Sequence, residues 1–341
     1  MKPFSYIRPE TVDDAVAALS ANPDAQLLAG GTNLVDLMKY DVARPSALID
    51  INRLPLGDIE EMPDGGLRIG ALAGNAAVAY DARVQRQFPM LSAAILAGAS
   101  PQLRNAATTG GNLMQRTRCY YFYDPASPCN KRQPGTGCGA IGGVNRIHAI
   151  LGASSSCIAT HPSDMCVALA ALAATVLVQG PDGHREIRFE DFHRLPGDHP
   201  QKDNTLEPGE MIVAVRLEPN HFARHSSYLK IRDRLSYAFA LVSVAAGLEL
   251  GPDGSILDIR VAMGGVAHKP WRDPLAEAEF AGKPANEETF RDVARRLLAG
   301  AEGQGGNDFK IPLAEQAIVR ALNEARTGRA AEIARQGAYH A

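Results

Sequence analysis

The stretch Ala25-Gln26-Leu27-Leu28-Ala29-Gly30-Gly31-Thr32-Asn33-Leu34 decides how the first part of the chain folds. Its first five residues form a short apolar run, the next four are turn formers, and Leu34 opens an amphipathic segment that ends at Lys39. The pattern predicts strand, glycine turn and helix. Glycines let backbone N–H groups approach a ligand closely, and successive N–H groups at a helix start suit a phosphate or pyrophosphate. The G-x-G-x-x-G pattern of a nicotinamide-type Rossmann loop is missing. Taken alone, Gly30-Gly31 reads as a tight turn with no ligand, and the diphosphate reading needs support from elsewhere in the chain.

Working outward, Thr11 to Ala21 reads as a helix with Thr11 as N-cap and Asp14 completing a capping box, and Ala47 to Ile51 as a strand. Leu67 to Ala71 is a further strand and Ala76 to Ala99 one or two helices. A second glycine loop follows in Thr108-Thr109-Gly110-Gly111-Asn112-Leu113. Two loops of this kind offer the backbone donors, hydroxyls and amides needed to hold a diphosphate and its ribose. The plainer account is that Thr108 and Thr109 satisfy their own backbone.

Between Arg116 and Asp164 the chain is irregular and holds four of its five cysteines, Cys119, Cys129, Cys138 and Cys157, spaced C-x9-C-x8-C-x18-C. A four-thiolate inorganic centre would fix such a segment, because its bonds form only in the folded state. From Arg116 to Arg146 five basic residues face one acidic residue, Asp124, a local balance of +4 that suits a negatively charged iron–sulfur cluster. Two disulfides, a structural zinc and four unconnected thiols stand as alternatives. The close C-x2-4-C pairs of zinc sites are missing, and disulfide frameworks belong mainly to small secreted domains. Cys166 lies in the apolar run from Met165 to Val178 and reads as a buried hydrophobe rather than a ligand.

Beyond Cys157, Ser163 or Asp164 caps a helix from Met165 to Ala174, and Asp164 could accept a bond from a ribose hydroxyl. His161, before a proline at the helix entry, reads as structural. Strands follow at Thr175 to Val178, Arg185 to Phe189 and Met211 to Leu217. A last unit has strands Ser226 to Ile231, Ala238 to Leu250 and Ile256 to Met263, then helices Glu287 to Leu298 and Leu313 to Arg326. Gly303 to Gly306 reads as a flexible exposed loop, the last fifteen residues as a frayed helix, and Lys230 as a solvated cation in an apolar strand end. A formal charge of −3 and a pI near 6.3 argue against nucleic acid or a membrane surface as the main partner. No signal region opens the chain and no apolar stretch reaches the length of a membrane span.

Taken together, Leu27 to Leu34, Thr108 to Leu113 and His161-Pro162-Ser163-Asp164-Met165 resemble the FAD-binding subunit of the xanthine dehydrogenase/aldehyde oxidase family of molybdenum hydroxylases. The resemblance runs from Phe4 to about Arg326. It implies an α+β chain with a two-part FAD-binding domain of the vanillyl-alcohol-oxidase (PCMH) type, residues 1–60 and 61–222. A C-terminal α+β domain of the CO dehydrogenase flavoprotein type, residues 223–330, and a tail, 331–341, would follow. It also implies non-covalent FAD, with Leu27, Leu28, Ala29, Gly30, Gly31, Thr32, Asn33 and Leu34 at its diphosphate. Thr108, Thr109, Gly111 and Asn112 would form the second loop, with Asp164 at the sugar and Ile212 and Lys230 near the flavin.

The cysteine segment, 116–158, is similar to that of periplasmic aldehyde oxidoreductase flavin subunits, which carry an additional [4Fe–4S] cluster; this implies Cys119, Cys129, Cys138 and Cys157 as its ligands. The partners implied are a large molybdenum-cofactor subunit and a small [2Fe–2S] subunit in a heterotrimer. Electrons from aldehyde oxidation would pass through this chain to oxygen or another acceptor. The resemblance implies a periplasmic location by co-export with a partner, with a cytoplasmic one as alternative, and no membrane insertion. Competing expectations are a 4-hydroxybenzoyl-CoA reductase or xanthine dehydrogenase-like subunit, a self-contained flavin oxidase with structural zinc, and a scaffold whose glycine loops are bare turns.

Overall fold

A computed structural model describes residues 1–328. The first unit contains β1 (Ser5–Ile7), α1 (Val12–Ala21), β2 (Ala25–Leu28), α2 (Leu34–Lys39) and β3 (Ala47–Asp50). Its three strands pair in parallel in the order β1-β3-β2. The Thr11 side chain accepts from Asp14 N–H at 3.1 Å while the Asp14 carboxylate accepts from Thr11 N–H at 3.2 Å, so the capping box forms as expected. Ala15 and Val16 of α1 pack with Ala47, Ile49 and Ile51 in a small core that Met211 and Val213 also join.

The second unit is built on β4 (Ile59–Glu61), β5 (Leu67–Gly70), β6 (Thr175–Gly180), β7 (Gly183–Arg188) and β8 (Met211–Leu217), an antiparallel sheet in the order β4-β5-β8-β6-β7. Between β5 and β6 lie α3 (Asn75–Tyr80), α4 (Ala82–Gln87), α5 (Pro89–Ala97), α6 (Pro101–Ala106), α7 (Thr109–Leu113), α8 (Tyr120–Tyr123) and α9 (Asp164–Ala171). The expected one or two helices over 76–99 are three. Asp81 starts α4 by accepting from Arg83 and Val84 N–H, and Pro89 starts α5, where its missing N–H costs nothing. Helix α9 is buried on all sides, and Cys166 within it is fully buried. After β7, α10 (Phe189–Phe192) leads into the loop that returns to β8.

The third unit is the antiparallel meander β9 (Ser226–Ile231), β10 (Val242–Leu250) and β11 (Ile256–Gly264), followed by α11 (Pro274–Ala278), α12 (Glu287–Leu297) and α13 (Lys310–Thr327). Strand β10 starts later than its apolar run suggested, at Val242, where its pairing with Ile231 of β9 begins. Helix α13 starts before Pro312, which sits in the first turn, where backbone N–H groups have no intrahelical partner. Residues 303–306 form a loop, but one tied down at several points. Gln304 N–H donates to Asn307 at 2.6 Å, Gly305 N–H to Asp308 at 2.8 Å, and the Asn145 amide donates to the Gln304 carbonyl at 2.8 Å. The expected terminal helix lies outside the described residues, apart from Thr327 and Gly328 at the end of α13.

Candidate functional site

The first glycine loop joins β2 to α2. Gly31 has a φ of +70°, a conformation that suits glycine, and Thr32 beside it is exposed. Gly30 packs so tightly that a Cβ on it would lie 1.8 Å from the Ala106 carbonyl oxygen. The chain therefore brings the first loop directly against the residues that lead into the second. There Thr108 is the N-cap of α7, its hydroxyl accepting from Gly111 N–H at 3.2 Å, and Gly111 is exposed. Thr109 is fully buried and its hydroxyl donates to the Ala73 carbonyl at 3.1 Å, so it fixes the loop from inside. Leu27, Leu28, Ala29 and Leu34 are half-buried along this edge.

The second loop is tied to the start of α9, where the Ser163 hydroxyl caps the helix and donates to the Asn112 side-chain oxygen at 2.5 Å. Asp164 next to it is buried. One carboxylate oxygen accepts from Tyr228 at 2.6 Å and the other from Lys230 at 2.8 Å. Burial and the Asp164 charge push the Tyr228 phenol well above its usual pKa, so it remains a donor. Lys230 is buried rather than solvated, and it also reaches the Ala97 carbonyl at 3.1 Å. Ile212 lies in β8 opposite Val178, buried in the main core. Thus Asp164 and Lys230 form one polar unit beside the second loop, and Ile212 takes no part in it.

Asn33 connects the loops to the cysteine segment. Its backbone opens α2 without a side-chain cap, and the amide turns instead to the insertion. Its oxygen accepts from Arg116 N–H at 2.9 Å and its nitrogen donates to the Tyr123 hydroxyl at 3.3 Å. Cys119, Cys129 and Cys157 are buried, Cys138 is half-buried, and all four line one cavity with Tyr121 and Phe122. None is in a disulfide. Among the described residues, the set of three or more His, Cys or carboxylate ligand atoms within 4.8 Å of one another is His161, Cys166 and His193. Among the described residues, then, no three of the insertion's sulfurs lie within 4.8 Å of one another.

Burial pushes the Cys119 thiol up to about 12 and the Cys157 thiol up to about 11. Ionising them here requires a cationic partner. Ala159 N–H donates to Cys157 Sγ at 3.4 Å, and His148 Nε2 lies 3.1 Å from Cys119 Sγ, with the tautomer deciding which of the two donates. The segment is braced by Arg132, which donates to the Tyr121 and Phe122 carbonyls at 2.7 and 2.9 Å. Below it, Asp203 accepts from Arg116 at 2.7 Å and from the buried Lys131. Burial opposes the Asp203 charge, but Arg116 and Lys131 outweigh that and hold its carboxyl well below the usual range.

Sequence reasoning missed several of these groups. Asn52 donates to the Leu28 and Ala29 carbonyls at 3.3 and 3.1 Å and so closes the strand end that feeds the first loop. Asp203 belongs to a polar loop 72 positions from Lys131, and no local pattern links them. His148 lies in the segment that carries the cysteine resemblance, but its place at Cys119 Sγ had no signal in spacing.

Comparison with known proteins gives a consistent result. The family described as the FAD binding domain in molybdopterin dehydrogenase matches residues 2–219, and the CO dehydrogenase flavoprotein C-terminal domain matches residues 227–325. The aldehyde oxidoreductase FAD-binding subunit PaoB of Escherichia coli K12 is 51% identical over 327 residues, covering 96% of this chain and 99% of the relative. The glyceraldehyde dehydrogenase medium chain of Sulfolobus acidocaldarius is 27% identical and covers 86% of each chain. Among solved structures, the carbon monoxide dehydrogenase from Hydrogenophaga pseudoflava is 28% identical with a TM-score of 0.75, over 96% of this chain and 99% of that one. Quinoline 2-oxidoreductase from Pseudomonas putida 86 is 25% identical with a TM-score of 0.73, over 96% and 99%.

Proposed function

We propose, from the premise that this chain belongs to the FAD-binding medium subunits of the xanthine dehydrogenase/aldehyde oxidase family, that it relays electrons within an aldehyde oxidoreductase of the molybdenum hydroxylase type, using FAD and a [4Fe–4S] cluster. The observation that carries the reading is Asn33, a residue of the first glycine loop whose amide is bonded to Arg116 and Tyr123 at the entrance to the cysteine segment. One short side chain thus joins the two cofactor regions. When bound, FAD exchanges electrons singly or in pairs and an iron–sulfur cluster exchanges them singly.

The chain's own groups have separate tasks in this reading. The loop from Leu27 to Leu34, together with Thr108, Gly111 and Asn112, presents backbone and side-chain donors to the diphosphate. Thr109 fixes the second loop from beneath. Asp164, oriented by Tyr228 and Lys230, faces the sugar, and Lys230 and Ile212 lie toward the flavin. Cys119, Cys129, Cys138 and Cys157 hold the cluster, Lys131 and Arg116 supply cationic surroundings, and Tyr121 and Phe122 shield it from water.

The partners are a large molybdenum-cofactor subunit, where the aldehyde is oxidised, and a small [2Fe–2S] subunit. Oxygen or another acceptor takes the electrons. Among the described residues no helix is long and apolar enough to cross a membrane. A periplasmic location, by export with a partner, or a cytoplasmic one agrees with this reading. The test is an absorption spectrum with iron and acid-labile sulfide analysis on protein purified without oxygen. Flavin bands with about four irons and four sulfides per FAD are expected. A colourless protein refutes the reading outright, and flavin without sulfide refutes its cluster half.

A further inference from the structure

We infer that His148 is a positioning residue for the iron–sulfur site, donating an N–H···S hydrogen bond to the iron-bound Cys119 and thereby raising the cluster's reduction potential. This inference rests on the reading above that the four cysteines hold a cluster. His148 Nε2 lies 3.1 Å from Cys119 Sγ, and the two residues are 1% and 7% exposed, so water does not compete for the sulfur.

The backbone around His148 is held from two sides. Its carbonyl accepts from Lys310 Nζ at 2.8 Å and from the Asn307 amide at 3.1 Å, and Asn307 also reaches the Ala149 carbonyl at 3.0 Å. Lys310 and Asn307 are both fully buried, and Lys310 is bonded to the His148 and Gly265 carbonyls. Burying an ammonium group against carbonyls alone is costly. The C-terminal unit bears that cost at His148, whose ring lies against Cys119. On the other side, Ala149 N–H donates to the Ile158 carbonyl at 2.8 Å, next to Cys157. The backbone that carries the imidazole is thus held beside Cys157, and the ring itself lies against Cys119.

The direction of the effect follows from charge. A free thiol could donate to the ring, but a thiolate bound to iron is only an acceptor, so the complementary tautomer carries its proton on Nε2. A donor aimed at sulfur stabilises the state with the greater negative charge, which is the reduced one, and the potential rises. Ala159 N–H plays the equivalent part at Cys157, but a side-chain substitution does not remove it.

The experiment is a redox titration followed by electron paramagnetic resonance on the anaerobically purified complex, for wild type, His148→Leu and His148→Gln, with iron and sulfide measured on each. His148→Leu should shift the one-electron reduction equilibrium about tenfold toward the oxidised cluster, equivalent to about 59 mV. His148→Gln, which keeps an N–H donor, should restore most of the shift. An unchanged potential in His148→Leu with iron retained overturns the role of His148 and leaves the cluster reading standing. Wild type without iron or sulfide overturns both. Pulsed resonance on wild type labelled with nitrogen-15 histidine needs no variant. It should show one coupled imidazole and one coupled proton lost in heavy water, and their absence overturns the inference.

Discussion

Replacing Gly30 by alanine puts a methyl carbon 1.8 Å from the Ala106 carbonyl oxygen and 2.7 Å from its carbon. Ordinary contacts between non-bonded heavy atoms lie near 3.5 Å, so the two loops must separate by more than about 1 Å. Neither neighbour is the free end of a flexible side chain; both are backbone, and overpacking of this kind costs about 1–3 kcal/mol of stability. The larger effect falls on the ligand. An N–H donor moved by about 1 Å from a 2.9 Å contact no longer makes a hydrogen bond, and each bond to a charged group contributes about 1.5–3 kcal/mol. Loss of one such bond weakens FAD binding by about ten- to a hundredfold. The assay is titration of flavin-free protein with FAD, followed by quenching of flavin fluorescence, together with urea unfolding. Gly57→Ala is the control, since a Cβ there meets no atom within 4 Å. If Gly30→Ala bound FAD as tightly as wild type and unfolded at the same urea concentration, the close approach of the two loops would have no part in the site.

Three further outcomes are expected. Cys138→Ser, at the most exposed of the four thiols, should lower iron and sulfide content and leave flavin content at the wild-type level; simultaneous loss of flavin would show that the two regions do not bind independently. Asp203→Asn leaves Lys131, with a side chain 1% exposed, without its carboxylate. It should destabilise the chain by about 3–5 kcal/mol, measured by thermal unfolding, and speed iron loss. Acidification should destabilise the fold through its buried imidazoles. Burial holds His193 and His268 down to about 4, and the nearby Lys131 pushes His268 the same way although Asp203 opposes it. Between the ordinary histidine value of about 6.5 and that lower one, the unfolded chain binds more protons than the folded one, so stability falls as pH falls. Each group contributes at most about 3 kcal/mol, and a urea midpoint that stays level from pH 7 to pH 4 would show that these histidines are not held neutral.

Much of the scaffold was legible because its signals are local. Thr11 and Asp14 cap α1 across three positions, Gly31 turns the chain with its own φ, and the apolar runs of β8 and β9 match their observed ends. Misreadings also had local causes. The reading of 76–99 as one or two helices missed the separate starts at Asp81 and Pro89, and the run from Ala238 hid a strand that pairs only from Val242. The glycine loops and the cysteine spacing were visible as chemistry. Their mutual position was not.

By itself, then, the sequence determined which residues could serve a diphosphate and a four-thiolate centre, because backbone freedom, donor type and ligand softness belong to individual side chains. Only the tertiary structure decided which of them meet. Gly30 touches Ala106, Asn33 reaches Arg116, Lys131 reaches Asp203 across 72 positions, and Lys310 holds His148 across 162. Such pairings arise from how sheets and helices pack. Packing depends on the summed burial of the whole chain, so no short window of residues encodes it.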